Sequence, residues 1–302
     1  MTDDDALFSL PDAPSPTAPD PPPLPAPAPP TLAVPALPAP AEASPPPPVV
    51  MRLLALADQF TQHTDGLARL RPAYAAARGH ASAQFLVSAC TQAVQAIQEQ
   101  PALKAAPVNE AALRIKQLGY LTAEGARHFA GAKALLALPA TGSAPEARAR
   151  EFDRLITVAQ ELLVLAPDTA LEAAASIAAE AGRRAPVTTM GSSGLSPAEQ
   201  TALQSAARGD LVIGFSGDRE YVESREPALR AGVVHSLEQR GLVAREIASV
   251  QPAFDGGPPQ DRIRLTLTGA TAVAVHLGRS PRTPHLATSA VAPPHAAPSR
   301  IR

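Results

Sequence analysis

Tryptophan is absent from the 302 residues, aromatic side chains make up only 3%, and a single cysteine is present. So few aromatic rings argue against base-stacking platforms for RNA or single-stranded DNA. One cysteine excludes a disulfide framework within the chain. That residue, Cys90, lies in FLVSACTQAV, where the expected role is a small buried apolar side chain rather than a reactive thiol. Lysine is scarce as well, since Lys104, Lys116 and Lys133 are the only ones and the remaining basic charge is arginine. With so much alanine and proline, this bias points by association to a GC-rich bacterial genome and a cytoplasmic setting. The start, MTDDDALFSL, is acidic where a secretion signal is basic, and Pro11 breaks its apolar stretch, so export is not expected. No apolar run comes near the ~18 residues of a membrane helix, which leaves no membrane partner in view.

Catalytic signatures are also missing. GFSGD, residues 214 to 218, comes near the nucleophile elbow G-x-S-x-G, but Asp218 stands where the last glycine belongs. The histidines are scattered, with no HExxH and no cysteine partner at ligand spacing. Neither a phosphate-binding Walker loop nor a dinucleotide fingerprint occurs. The expectation is a protein that is not an enzyme, with no cofactor and no metal.

Proline is plentiful. About half of the 35 prolines fall in residues 1–48, in runs such as PDPPPLPAPAPP. Such a stretch favours polyproline II and cannot build a core, so it reads as a disordered arm able to recruit or space protein partners. Residues 49–182 then read as an all-helical domain. Leu53, Leu56, Phe60, Leu67 and Leu70 recur at helical spacing, with a turn skipped at His63 and Thr64, and Pro72 forces a break. Phe85, Leu86, Cys90, Val94 and Ile97 form a second stripe, ended by Pro101. A third helix is expected from an Asn109 cap to a Gly119 stop, and two more end the domain. In the last, Asp168 is the expected cap and Gly182 the closing residue. The alanine-rich LEAAASIAAEAG offers a dimer seam, although its residues are equally ordinary helix formers.

At about 183–195 the apolar period vanishes in RRAPVTTMGSSGL, a linker. Residues 196–280 then alternate helix and strand. Ser196, Pro197 and Glu199 spell a capping box with proline at the first helical position, and Gly209 ends that helix. LVIGF and REYVES flank SGD as a hairpin. EPALRAGVVHSLEQRG is helical, LVAREIASV and DRIRLTLT are strands, and GATAVAVHLG is a short helix. Residues 281–302 read as a disordered tail.

VVHSLEQRGLVARE followed by RIRLTLTGATAV resembles the recognition helix, wing and following helix start of winged-helix regulators of the MarR type, over about 85 residues. The resemblance implies duplex DNA binding, with the helical middle as a dimerising or sensing unit. It also implies that Gly241 ends the helix in a left-handed turn, that Leu242 plugs the core, and that Thr266 or Thr268 caps the helix after the wing. Between residues 209 and 227 the chain departs from that family, with a hairpin where a second helix usually stands. The fold class expected is therefore mainly α, with a C-terminal α+β winged-helix domain. LTAEG, residues 121–125, echoes LTLTG at 265–269. It reads either as Thr122 capping a helix to about Leu138 or as part of a degenerate second winged helix over 82–138.

For DNA contact the candidates are His235, Gln239 and Arg240 on or after the recognition helix and Arg245, Arg262 and Arg264 on the wing. Arg262 and Arg264 are expected to point outward from their strand. Charge gives this little help, because nine basic and ten acidic residues between Ser196 and Ser280 leave the domain near neutral. Two functions of different class follow. One is a bacterial transcriptional regulator that binds duplex DNA. The other is a protein–protein adaptor that uses the winged helix and the proline-rich arm.

Overall fold

The computed structural model describes residues 47–100, 104–138, 145–184, 194–217, 219–254 and 256–279. The expected tail lies outside the described residues, and the expected arm and linker lie largely outside them.

Five helices form the first half: α1 (Pro48–Ala68), α2 (Pro72–Gln98), α3 (Ala106–Ala137), α4 (Pro145–Glu161) and α5 (Ala166–Arg184). Proline opens α1 and α2 within their first turns, where its missing N–H leaves no bond unmade. The break expected at Pro72 is therefore a helix start, with three residues between it and the end of α1. Several expected boundaries are overturned. Gly119 and Thr122 both lie inside α3. Gly119 serves packing rather than termination, because a Cβ there would come within 3.3 Å of the Cys90 Cβ on α2. Thr122 is fully buried and donates its hydroxyl to the Leu118 carbonyl at 2.7 Å, a back-bond within the helix rather than a cap. No strand occurs among the described residues of 82–138, so a second winged helix there is ruled out. Asn109 is likewise inside α3, which is capped at Ala105. Asp168 sits in the first turn of α5, where a carboxylate complements the helix dipole, and Gly182 lies within that helix. Phe85, expected on the buried stripe, is 60% exposed.

The second half follows the order read from the sequence more closely: α6 (Pro197–Arg208), β1 (Val212–Ser216), β2 (Arg219–Glu223), α7 (Ala231–Gln239), β3 (Val243–Val250), β4 (Gln260–Leu265) and α8 (Leu267–Gly278). The strands make one antiparallel sheet in the order β2-β1-β4-β3. The capping box is present in full, with the Glu199 N–H donating to Ser196 Oγ at 3.3 Å and the Ser196 N–H donating to Glu199 Oε2 at 2.8 Å. Helix α7 is shorter than the run EPALRAG suggests, beginning only at Ala231. Gly241 adopts φ 66° after it, a left-handed turn that an L side chain resists. The turn lets the Leu242 N–H reach the Leu237 carbonyl at 2.9 Å and drops Leu242 into the core. Of the two threonines, Thr266 is the cap, its Oγ1 accepting from the Gly269 N–H at 3.1 Å.

The halves share a core. Phe60 of α1, Ile115 of α3, Ile177 of α5, Leu203 of α6, Leu237 of α7 and Ile263 of β4 belong to one continuous hydrophobic cluster. Helix α1 is its axis, touching α2, α5, α6, α8 and β3. Contrary to the expectation that no stretch comes near a membrane span, one window within Pro145–Arg184 is long and apolar enough by composition. Its Ala170, Ala173, Ala174 and Ile177 are fully buried in the protein's own core.

Candidate functional site

The six residues singled out for DNA contact belong to α7 and its flank and to strands β3 and β4. Each strand has two faces, and on β4 the face carrying Arg262 and Arg264 was expected to meet solvent. It meets α1 instead. Asp58 and Asp65, seven residues apart on that helix, lie on one side of it and receive both guanidinium groups. Arg262 donates from Nε to Asp65 Oδ2 at 2.9 Å and from Nη2 to Asp65 Oδ1 at 2.6 Å, a two-point fork. Its Nη1 reaches the Gly209 carbonyl at 2.5 Å, which ties the end of α6 to the same group. The Arg262 and Asp65 side chains are 10% and 5% exposed, so this pair is buried. The outward orientation expected for Arg262 is thus corrected, because the sheet does not stand free: α1 covers it.

Arg264 is held in the same seam. Its Nη1 donates to Asp58 Oδ1 at 2.7 Å, its Nη2 lies 3.5 Å from Asp65 Oδ2, and its Nε pairs with Glu246 of β3. Burial draws its pKa down, but the carboxylates of Glu246 and Asp58 outweigh this and raise it above the ordinary arginine value.

On the other face of β3, Arg245 binds Glu238 of α7 at 3.0 Å and Glu220 of β2 at 2.8 Å, with Asp261 of β4 at 3.7 Å. Hydrogen bonds to Glu238 and Glu220 hold its pKa above the usual range. Glu220 in turn faces His235 Nε2 at 2.7 Å and is acidified chiefly by its bond to Arg245. Arg240 donates to Glu199 Oε1 at 3.0 Å. The same carboxylate accepts from Ser236 Oγ at 2.9 Å, joining the α6 cap to α7.

Five of the six candidates therefore point at carboxylates. Gln239 is exposed at the end of α7, and its side chain makes no hydrogen bond with the described residues. Arg219, at the start of β2, and Arg230, just before α7, are exposed and have no ion pair with the described residues. Around strands β3 and β4, large apolar side chains are left in solvent: Ile247 is 78% exposed, Phe254 65% and Leu267 79%.

The partners Asp58, Asp65, Glu220 and Glu246 were not singled out from the sequence. A signal for one of them existed. The apolar stripe of α1 skips a turn at His63 and Thr64, and Asp65, inside that gap, is buried together with His63. A charged residue in a gap of a core helix calls for a cation, and a sequence does not name which one.

No group of three or more His, Cys, Asp or Glu side chains suited to a metal occurs among the described residues. No protein-family model matches the chain, and neither curated proteins nor solved structures give a match.

Proposed function

We propose that this chain is a non-catalytic binding protein of winged-helix type that engages another protein, an adaptor, rather than the phosphate backbone of DNA. The order of helix, hairpin, helix, two strands and helix supports the winged-helix relationship, with the hairpin standing where a second helix would be. The observation that carries the choice of partner is the saturation of Arg240, Arg245, Arg262 and Arg264 by carboxylates. Affinity for duplex DNA rests largely on unpaired cations laid against phosphates. Apolar groups exposed beside the sheet, Ile247, Phe254 and Leu267, suit a protein partner better. The proline-rich arm would then space or recruit partners, and the arginine-rich, alanine-rich composition favours a bacterial cytoplasm.

Transcriptional regulation through duplex DNA is the second reading. It is favoured by Arg219, Arg230 and Gln239, exposed cationic and amide groups on β2 and at the two ends of α7 that meet no carboxylate among the described residues. Fluorescence anisotropy of the full chain with a generic labelled duplex, titrated across ionic strength, separates the two. No binding at low salt is expected. Binding that weakens steeply with added salt overturns the adaptor reading, and loss of that binding in Arg230→Gln would locate it on α7.

A further inference from the structure

Helix α2 carries no aspartate or glutamate in any of its 27 residues, and the two carboxylates of α3, Glu110 and Glu124, are bound to Arg114 and Arg127. Where these helices meet at the surface, two clefts of about 430 and 360 Å³ open. The first lies between Val94 and Gln98 of α2 and Asn109, Leu113 and Lys116 of α3, with Lys104 just before that helix. The second lies between His80, Gln84 and Val87 of α2 and Ala123, Arg127 and Ala130 of α3. Seven-residue steps join the two. His80, Val87 and Val94 follow that interval on α2, and Asn109, Lys116, Ala123 and Ala130 follow it on α3, so each helix turns one face to both clefts. They are two parts of a single groove, which follows α2 from His80 to Gln98 for about 27 Å.

The lining combines apolar surface with unanswered positive charge. Leu113 is 55% exposed, and Tyr120, one turn beyond Lys116 on the same face of α3, is 65% exposed. A leucine and a tyrosine in solvent along a seam of valine and alanine leave a packing layer without its second half. No carboxylate lines either cleft. Lys104 and Lys116, two of the three lysines in the chain, are exposed and have no ion pair with the described residues. By contrast, Arg240, Arg245, Arg262 and Arg264 are each held by carboxylates of this chain.

We propose that this groove docks an acidic amphipathic helix of a partner protein, its apolar side chains against Val87, Leu113 and Tyr120 and its carboxylates against Lys104 and Lys116. Such docking rests on the adaptor reading and gives the adaptor a second surface, on helices outside the stretch that resembles a winged helix. A helix suits the groove because two packed helices offer a third one a trough of side chains along their length, and present no free backbone edge to a strand. Ala123, Ala126 and Ala130 let another backbone come close at one end. The lysines at the other end set the sign of the partner's charge and the direction in which it lies.

The test is fluorescence anisotropy of the full chain with a labelled helical peptide of about 18 residues, long enough to fill the groove. The peptide carries leucine along one face and glutamate on its flanks, and a second peptide has lysine in place of every glutamate. Saturable binding of the acidic peptide, with none of the basic one, is expected. Lys116→Glu replaces an attraction by a repulsion and is expected to weaken the acidic peptide about fivefold or more. Lys133→Glu makes the same change of charge at an exposed position of α3 that lines neither cleft, and should leave the affinity unchanged. Absence of acidic-peptide binding, equal binding of the basic peptide, or equal losses in the two variants would each overturn the proposal. So would self-association of the chain in sedimentation velocity that Lys116→Glu abolishes, because the occupant would then be a second copy. Each of these results strikes the groove alone, since the adaptor reading stands or falls with the duplex titration.

Discussion

Asp65 and Arg262 are 197 residues apart in the chain and share a two-point ion pair, 2.6 and 2.9 Å, that closes α1 against β4. Both side chains are nearly out of solvent, and the third donor of Arg262 is spent on the Gly209 carbonyl. Removing one partner strands the other charge in a site built for two. Asp65→Ala or Arg262→Ala is therefore expected to lower stability by about 3–5 kcal/mol, far more than an exposed pair would. Urea denaturation monitored by far-ultraviolet circular dichroism measures it. A loss under about 1 kcal/mol, the range of exposed pairs, would mean that the pair is open to water in solution. It follows that Arg262→Ala combined with Arg264→Ala is a stability experiment and says little about DNA.

Two glycines should respond with opposite sign to the same added methyl. A Cβ on Gly269, in the first turn of α8, would overlap the Leu242 carbonyl oxygen, so the two backbones can meet only without a side chain. Gly232, exposed on α7, has nothing within 4 Å of where its Cβ would stand. Gly269→Ala is expected to destabilise by about 1–3 kcal/mol through overpacking. Gly232→Ala is expected to stabilise by up to about 1 kcal/mol through helix propensity. Thermal melts of the two variants beside the parent chain show whether the signs differ, and equal signs would refute the close approach of Leu242 to α8.

How much of this was legible in the sequence depended on whether the cause was local. The Ser196–Glu199 box, the Gly241 turn, a threonine cap at Thr266 or Thr268 and the β1–β2 hairpin are set by residues within a few positions of each other, and the sequence predicts them. Gly119 and Thr122 misled because the same residue types that end helices also let helices pack, and only the neighbour, Cys90 of α2, decides which. The seam was illegible for a different reason. Strand alternation correctly puts Arg262 and Ile263 on opposite faces, but it does not say that α1 covers the Arg262 face. Asp58 and Asp65 lie about 200 residues upstream of their partners, beyond any local pattern.

Glu199 joins the α6 cap to Ser236 and Arg240. The backbone hydrogen bond from Ser196 is the main reason its carboxyl is pushed down to about 2, with the hydroxyls of Ser236 and Ser196 and the Arg240 guanidinium adding to it. A carboxylate whose folded pKa is depressed contributes stability that is complete above its unfolded value and is lost as pH falls towards the folded one. Glu199→Gln should therefore be less stable than the parent near neutral pH, and the gap should close as pH falls from about 4.3 towards 2. Ser196→Ala, which removes the reciprocal bond, should lose about 1 kcal/mol. Denaturant midpoints across that pH range check both, and a gap that stays constant would show that the Glu199 charge is not engaged.

His63 titrates in a different window with a different cause. Burial alone pushes its pKa down to about 4, since the imidazolium would sit beside Phe129 with no carboxylate hydrogen-bonded to it. The folded protein holds this ring neutral, while the unfolded chain takes up a proton below about 6.5. Stability from this group is thus complete above that value and falls as the medium is acidified towards pH ~4, by on the order of 2 kcal/mol at pH ~5. The charged groups beside it are Glu246, Arg69, Arg78 and Arg264, which line one cleft with it between α1, α2 and the strands. His63→Leu should flatten the pH dependence between about 6.5 and 5 whatever it does to stability at neutral pH, because the proton difference between folded and unfolded chains disappears. The measurement is the slope of unfolding free energy against pH in the parent chain and in the variant. Parallel slopes would mean that His63 is already solvated in the folded protein.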